Sequence, residues 1–173
     1  MKKSILALMV VASSVVGLSA ANAADGEVHF TGSITADACT VNGGVAGPLE
    51  VELGTVASSS MAGVGTKSTP TKFTIALTAC DASLTSAAVK FDGTSDSADE
   101  TLLQLDSDST ATGVGIEIGD ADGTPLPLYT ASQSVPITSG AANLDFVGRY
   151  KSTAAAPVAG SANGTSQFTI NYN

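Results

Sequence analysis

The sequence predicts an all-β fold, an antiparallel β-sandwich, from two observations. First, apolar residues along the chain alternate with polar ones at period two, which is the pattern of strands with one buried face. Second, short segments that favour tight turns separate these runs: Gly43-Gly44, Asp92-Gly93, Asp120-Ala121-Asp122-Gly123 and Ser139-Gly140. No long run repeats with the period of a helix. Many short strands with frequent turns are typical of a sandwich.

Each predicted strand is a run of alternating apolar residues. In the first, Val28, Phe30 and Ile34 share one face with Gly32. The predicted strands cover residues 28–34, 49–53, 73–77, 87–91, 101–105, 113–118, 126–129, 144–150 and 167–172. No internal repeat or long linker divides them, so the sequence predicts one domain.

Residues 1–23 have the features of a secretory signal peptide. Lys2 and Lys3 precede an apolar run over residues 4–18, and Ala21-Asn22-Ala23 supplies the small residues of a cleavage site. The apolar run is shorter than the ~20 residues that span a bilayer. We therefore expect a mature, exported chain that begins at Ala24.

The charge and the residue counts exclude several classes of function. Acidic residues number 16 against 7 Lys and Arg, for a formal charge of -9, so a nucleic-acid backbone would be repelled. One histidine and two cysteines are too few for a zinc or copper enzyme such as an exported dismutase. The sequence therefore predicts no metal, no cofactor and no catalytic residue, and His29 is interpreted as a surface side chain.

The two cysteines, Cys39 and Cys80, are interpreted as a disulfide pair. An exported protein folds in an oxidising compartment, and neither cysteine belongs to a CxxC motif or has a histidine next to it in sequence. A catalytic thiol is the alternative, and the disulfide is favoured over it.

Two acidic patterns resemble cation sites. Asp120-Ala121-Asp122-Gly123 begins like a calcium loop but lacks the later acidic ligands, so a hairpin turn is favoured. A second group could hold a cation or supply paired carboxylates for glycoside chemistry. We interpret it instead as a solvated loop face; its members are Asp96, Asp99, Glu100, Asp106 and Asp108.

Several features in combination resemble the chaperone-usher fimbrial subunits, and most closely the major pilins of the type 1 group. The resemblance covers the whole mature chain. The features are the alternating N-terminal segment with Gly32, the spacing of Cys39 and Cys80, the run from Phe73 to Cys80, the segment Phe146-Val147-Gly148-Arg149-Tyr150 and the penultimate Tyr172.

This resemblance implies an immunoglobulin-like sandwich that lacks its last strand. It divides the chain into a signal peptide (1–23), a donor-strand extension (24–36) and a pilin domain (37–173). The extension would place Val28, Phe30, Gly32 and Ile34 in the groove of a neighbouring copy, adding a strand by backbone pairing. The implied protein is a non-enzymatic structural subunit of a surface fimbria used in adhesion or biofilm formation. Its implied partners are other copies, a periplasmic chaperone and an outer-membrane usher.

The C-terminal strand is expected to be the surface held by the chaperone. Phe168, Ile170 and Tyr172 share one apolar face, and a carboxylate on Asn173 could bind a basic residue of a partner. The alternative is that these residues only complete the core.

A secreted, monomeric carbohydrate-binding β-sandwich is the alternative function. Sugar-binding faces usually offer aromatic platforms, whereas this chain has 5% aromatic residues and no Trp. A tip adhesin would need a second, lectin-like domain, for which the mature chain is too short.

Overall fold

The computed structural model describes residues 28–31, 38–42 and 47–173. The chain forms two compact units, residues 1–34 and 35–173. Within the described residues no helix is long and apolar enough to cross a membrane.

The second unit is built from antiparallel strands. Their bounds are β1 (Thr40–Val41), β2 (Thr71–Thr78), β3 (Ser86–Asp92), β4 (Val114–Asp120), β5 (Val135–Pro136), β6 (Ala142–Ser152) and β7 (Gln167–Tyr172). The one helical element among the described residues is a short 3-10 turn, Ser58–Met61. The all-β prediction is therefore confirmed.

The strands form two sheets with the orders β1-β2-β6-β4 and β5-β3-β7. Side chains alternate across each strand, so one face of each sheet contributes to a shared core. Ile75, Val89 and Leu144 are at most 1% exposed. Edge-to-face pairs of aromatic rings join the two sheets, because Phe91 of β3 packs against both Phe73 and Phe146.

Two turns have the chemistry that the sequence predicts. Ser139 and Gly140 both adopt positive φ, and Thr138 and Ala141 exchange two backbone hydrogen bonds around them, as in a two-residue hairpin. At residues 120–123 the Gly123 N–H donates to the Asp120 carbonyl, so this segment is a turn. Gly43 and Gly44 lie outside the described residues.

Four predictions of local structure are wrong: three strands and one turn. Residues 49–53 pair with no strand, although Leu53 packs against the core. Residues 101–105 and 126–129 make only isolated bridges or single backbone hydrogen bonds. Examples are the bridge between Leu103 and Ile116 of β4 and the bond from the Tyr129 N–H to the Phe91 carbonyl of β3. At Asp92-Gly93 β3 ends without a tight reversal, and the chain continues to Ser95, which bridges Leu103. In the three predicted strands, apolar residues such as Leu53, Leu103 and Leu126 pack against or within the core without joining a ladder.

A buried ionic network stabilises the outer face of the first sheet. Glu117 of β4 has a side chain only 3% exposed, and it lies 2.9 Å from the Lys67 ammonium. The Arg149 Nε donates to Glu117 Oε1 over 2.7 Å, and Arg149 also donates to the Gly123 carbonyl. Lys151 lies 3.9 Å from Glu117 and 2.8 Å from Asp99. The network therefore ties three loops to β4 and β6.

The lowered pKa of Asp99 predicts that the fold loses a measurable part of its stability in acid. Hydrogen bonds from Lys151 and Thr101 lower the pKa of Asp99 from 3.8 to about 2. A carboxyl group whose pKa is depressed on folding stabilises the fold above its unfolded pKa, and this contribution is lost as pH falls to the folded pKa. The stability difference between wild type and Asp99→Asn should therefore shrink between pH 4 and pH 2. Urea unfolding across that range measures it.

The matched control is Asp108→Asn, since Asp108 is exposed and belongs to the same acidic region. Its stability difference from wild type should stay nearly constant with pH. A constant difference for Asp99→Asn as well would show that the Lys151 pair contributes nothing.

Candidate assembly site

The strand β7 is an open edge of the second sheet. It pairs with β3 on one side, and within the described residues no strand pairs with its other side. Unpaired strand edges present rows of free N–H and C=O groups that attract another strand. The candidate site is this edge with the apolar side chains beside it.

The register of β7 shows which backbone groups face outward. Ser86 and Asn173 exchange two hydrogen bonds of 3.2 and 3.0 Å. Bonded and non-bonded pairs alternate along an antiparallel ladder, so Ala87 and Tyr172 form a non-bonded pair. By the same alternation, the backbone N–H and C=O groups that point to the open edge are those of Phe168, Ile170 and Tyr172.

The same three residues turn half-covered apolar side chains toward the core. Phe168, Ile170 and Tyr172 pack against the core cluster but stay half-buried. Core-facing residues of the neighbouring β3, such as Val89, are completely buried. This contrast is what a missing neighbour strand produces, because a strand beside β7 would cover these side chains.

The open edge of β7 meets the edge of the other sheet at one end. Cys39 belongs to the buried core cluster, and Tyr172 packs against that cluster. Burial of the ring raises the pKa of Tyr172, and the nearby backbone of Cys39 partly offsets this rise. Cys39 directly precedes β1, which is the edge strand of the first sheet. The apolar edge of the sandwich is therefore bounded by β7 and, at this end, by the start of β1.

A disulfide fixes the β1 side of the site. Cys39 and Cys80 are bonded, as the sequence predicts. They flank the ladder between β1 and β2, in which Thr40 pairs with Thr78 and Val41 with Leu77. With only two paired residues in β1, the disulfide is the main attachment of this strand.

Two other sheet edges, those of β5 and β4, are short or partly covered. The edge strand β5 is two residues long and ends at Pro136, which lacks an N–H donor. The outer edge of β4 is partly covered, because Leu103 exchanges two hydrogen bonds with Ile116 and the Leu126 N–H donates to Ile118. Of these three edges, β7 is the one most open to strand addition.

The described part of the N-terminal segment exposes large apolar side chains. Val28 is 75% exposed and Phe30 is 90% exposed, and His29 between them is exposed as well. Residues 28–31 are not in a strand. The other two predicted donor residues, Gly32 and Ile34, and the predicted signal peptide lie outside the described residues.

The acidic residues do not form a cation site within the described chain. No group of three or more His, Cys, Asp or Glu side chains there is arranged to hold a metal ion. Asp96, Asp99 and Asp106 instead accept hydrogen bonds from neighbouring backbone and hydroxyl groups. Sequence reasoning missed this role, and it also missed the buried Glu117, whose partners Lys67 and Arg149 are distant along the chain.

Comparison with known proteins identifies the family. Residues 28–173 match the family Fimbrial protein. The chain is 35% identical to a fimbrial subunit type 1 of Salmonella typhimurium over 99% of its own length and 97% of the relative. It is 37% identical to a type-1 fimbrial protein subunit of Serratia marcescens, over 99% of each chain.

Solved structures agree with this assignment. An antigen and type I fimbria protein of Burkholderia pseudomallei has a TM-score of 0.61 and 34% identity, over 83% of this chain and 94% of that one. The P pilus rod subunit PapA shares the fold, with a TM-score of 0.64 at 18% identity, over 79% of this chain and all of that one. The chain belongs to the fimbrial protein family. The predicted resemblance to chaperone-usher fimbrial subunits and the incomplete immunoglobulin-like fold are confirmed.

Proposed function

We propose that this fimbrial subunit polymerises head-to-tail by donating its N-terminal strand to the open edge of the next copy. The observation that carries the proposal is that one chain has both an open strand edge and a segment with exposed apolar side chains. The β7 edge has unpaired backbone and half-covered apolar side chains, and the N-terminal segment exposes Val28 and Phe30. Each of these features is unfavourable in water and would be satisfied by the other.

The energetics favour a long-lived contact. Burying Val28, Phe30 and Ile34 at about 1.5 to 3 kcal/mol each gives roughly 5 to 9 kcal/mol before entropic losses. Backbone pairing with β7 adds register to this contact. Because the donor segment and the acceptor edge are different surfaces, the contact does not close on itself and generates a filament.

The partners and location of the subunit follow from the same chemistry. A monomer with an open β7 edge is prone to aggregate, so a periplasmic chaperone that covers Phe168, Ile170, Tyr172 and Asn173 is required before assembly. An outer-membrane usher would then release the subunit into a surface fimbria that serves adhesion or biofilm formation. The role is structural, and the chain needs no catalytic residue for it.

A peptide of residues 24–36 tests strand donation. Added in excess to the mature chain refolded from urea, it should occupy the acceptor edge and shorten the fibres seen by electron microscopy. A peptide with Gly32→Asn should not, because Gly32 lies on the face of Val28, Phe30 and Ile34, and we propose that it meets a shallow part of the groove. Equal shortening by both peptides would contradict the role of Gly32, and no effect of either would contradict strand donation.

A monomeric carbohydrate-binding protein is not favoured by any described feature. Tyr129 is the most exposed aromatic residue of the second unit, at 58%, and its hydroxyl donates to the Gly93 carbonyl. A single tethered ring does not make a sugar platform.

A further inference from the structure

The ends of β7 are fastened by hydrogen bonds that include the side-chain hydroxyl groups of Thr85 and Thr165. At its C-terminal end the Thr85 N–H and the Thr85 hydroxyl both donate to the main-chain oxygen of Asn173, over 2.6 and 3.0 Å. The Ser86 N–H donates to the same oxygen over 3.2 Å. One main-chain oxygen at this end of β7 therefore accepts three hydrogen bonds.

The N-terminal end of β7 is fastened in the same way from another loop. The Asp106 carboxylate accepts hydrogen bonds from the N–H and from the hydroxyl of Thr165, each over 3.0 Å. Beside it, the Ser166 hydroxyl donates to the Asp92 carbonyl over 2.9 Å. Asp106 is itself positioned, because its N–H donates to the Asn163 carbonyl over 2.8 Å.

These two clips, Thr85 with Asn173 and Asp106 with Thr165, lie at the ends of a strand that has limited support. It has a neighbour on one side only, and its apolar side chains are half-covered. Binding of a strand from another molecule is faster and tighter when the receiving backbone is already extended, because less conformational entropy is lost on association. Hydrogen bonds at both ends of β7 would keep this strand extended before the donated strand binds.

We propose that Thr85 and Thr165 are positioning residues for strand capture: they fasten the two ends of β7 and hold its open edge in the extended form that a donated strand needs. This inference rests on the proposed function. Thr85 and Thr165 are both exposed and outside the apolar core, so their hydroxyl groups can be removed without opening a cavity. Neither residue touches the incoming strand in this proposal, and each acts through β7.

The test uses isosteric threonine-to-valine substitutions in the mature chain. The clip variants are Thr85→Val and Thr165→Val. The control is Thr169→Val, an exposed residue in the middle of β7 whose hydroxyl makes only a long contact of 3.5 Å with the Asp92 carboxylate. The probe is the peptide of residues 24–36 in excess, with the rate of 1:1 complex formation followed by native mass spectrometry. Loss of one hydrogen bond of ordinary strength corresponds to about a fivefold effect. We expect each clip variant to capture the peptide about fivefold more slowly than the control.

Rescue separates positioning from general weakening of the fold. Thr85→Ser keeps the hydroxyl and should capture the peptide at close to the parental rate. Capture by both clip variants at the rate of Thr169→Val would overturn the proposal. The same holds if capture slows only in proportion to a lower thermal midpoint.

Hydrogen exchange tests the clips independently of strand donation. The ladder places the Thr169 and Asn171 amides against β3, and these amides should exchange about fivefold faster in the clip variants than in Thr169→Val. If even the parental chain captures no peptide, strand donation fails, while faster exchange still supports the clips. Unchanged exchange in both clip variants means that the clips do not hold β7.

Discussion

Replacing Phe30 with aspartate should abolish fibre formation and leave the folded domain intact. Phe30 is 90% exposed, so the substitution removes no contact of the monomer. In the fibre, the proposed donor strand would have to bury a carboxylate in an apolar groove, in place of a ring worth about 1.5 to 3 kcal/mol. We expect polymerisation of the purified mature chain to slow by more than about a hundredfold, measured by light scattering and electron microscopy.

The matched control is His29→Asp. His29 is exposed and is the immediate neighbour of Phe30, and on an extended strand it points to the opposite face. The control adds a carboxylate of the same size next to the same site, so it should polymerise at nearly the parental rate. Equal inhibition by both substitutions would indicate repulsion between acidic chains. It would contradict the assignment of Phe30 to the donor face.

Periodicity in the sequence predicts the longer strands of both sheets. The predicted segment 167–172 coincides with β7, and 73–77 and 144–150 fall within β2 and β6. Segments 101–105 and 126–129 have similar patterns, yet they lie beside β4 as loops. In the first of these, Leu102 and Leu103 are adjacent and both buried, which a strand with one buried face cannot achieve. An apolar pattern therefore shows which residues are buried but not whether a partner strand lies beside them.

The candidate site could be predicted only in part, because the sequence shows apolar faces but not the order of strands in a sheet. The apolar face of Phe168, Ile170 and Tyr172 is visible in the sequence, whereas the openness of β7 depends on the order of strands in the sheet. The two short edge strands β1 and β5 have too few residues to produce a pattern. The clip between Thr85 and Asn173 joins residues that are far apart in the chain, and no local signal marks such a pair.

Removing the disulfide should destabilise the domain and, with it, the assembly site. Cys39 and Cys80 are separated by 41 positions, and the chain-entropy relation assigns a loop of that length about 4 kcal/mol. A typical domain is stable by about 5 to 15 kcal/mol in total. The double variant Cys39→Ala, Cys80→Ala should therefore lose about 4 kcal/mol of unfolding free energy in urea titrations.

Because the disulfide lies at the edge of the sandwich, its removal should impair assembly more than it impairs packing of the core. Without the disulfide, β1 is held to β2 by two residue pairs, and Cys39 is no longer fixed in the core cluster against which Tyr172 packs. The end of the groove where β1 and β7 meet should then open, while Ile75, Val89 and Leu144 remain packed. Capture of the peptide of residues 24–36 should fall under conditions where near-ultraviolet circular dichroism still reports a folded core. If peptide capture and core unfolding instead decline together in urea, the disulfide stabilises the domain as a whole and has no separate role at the edge.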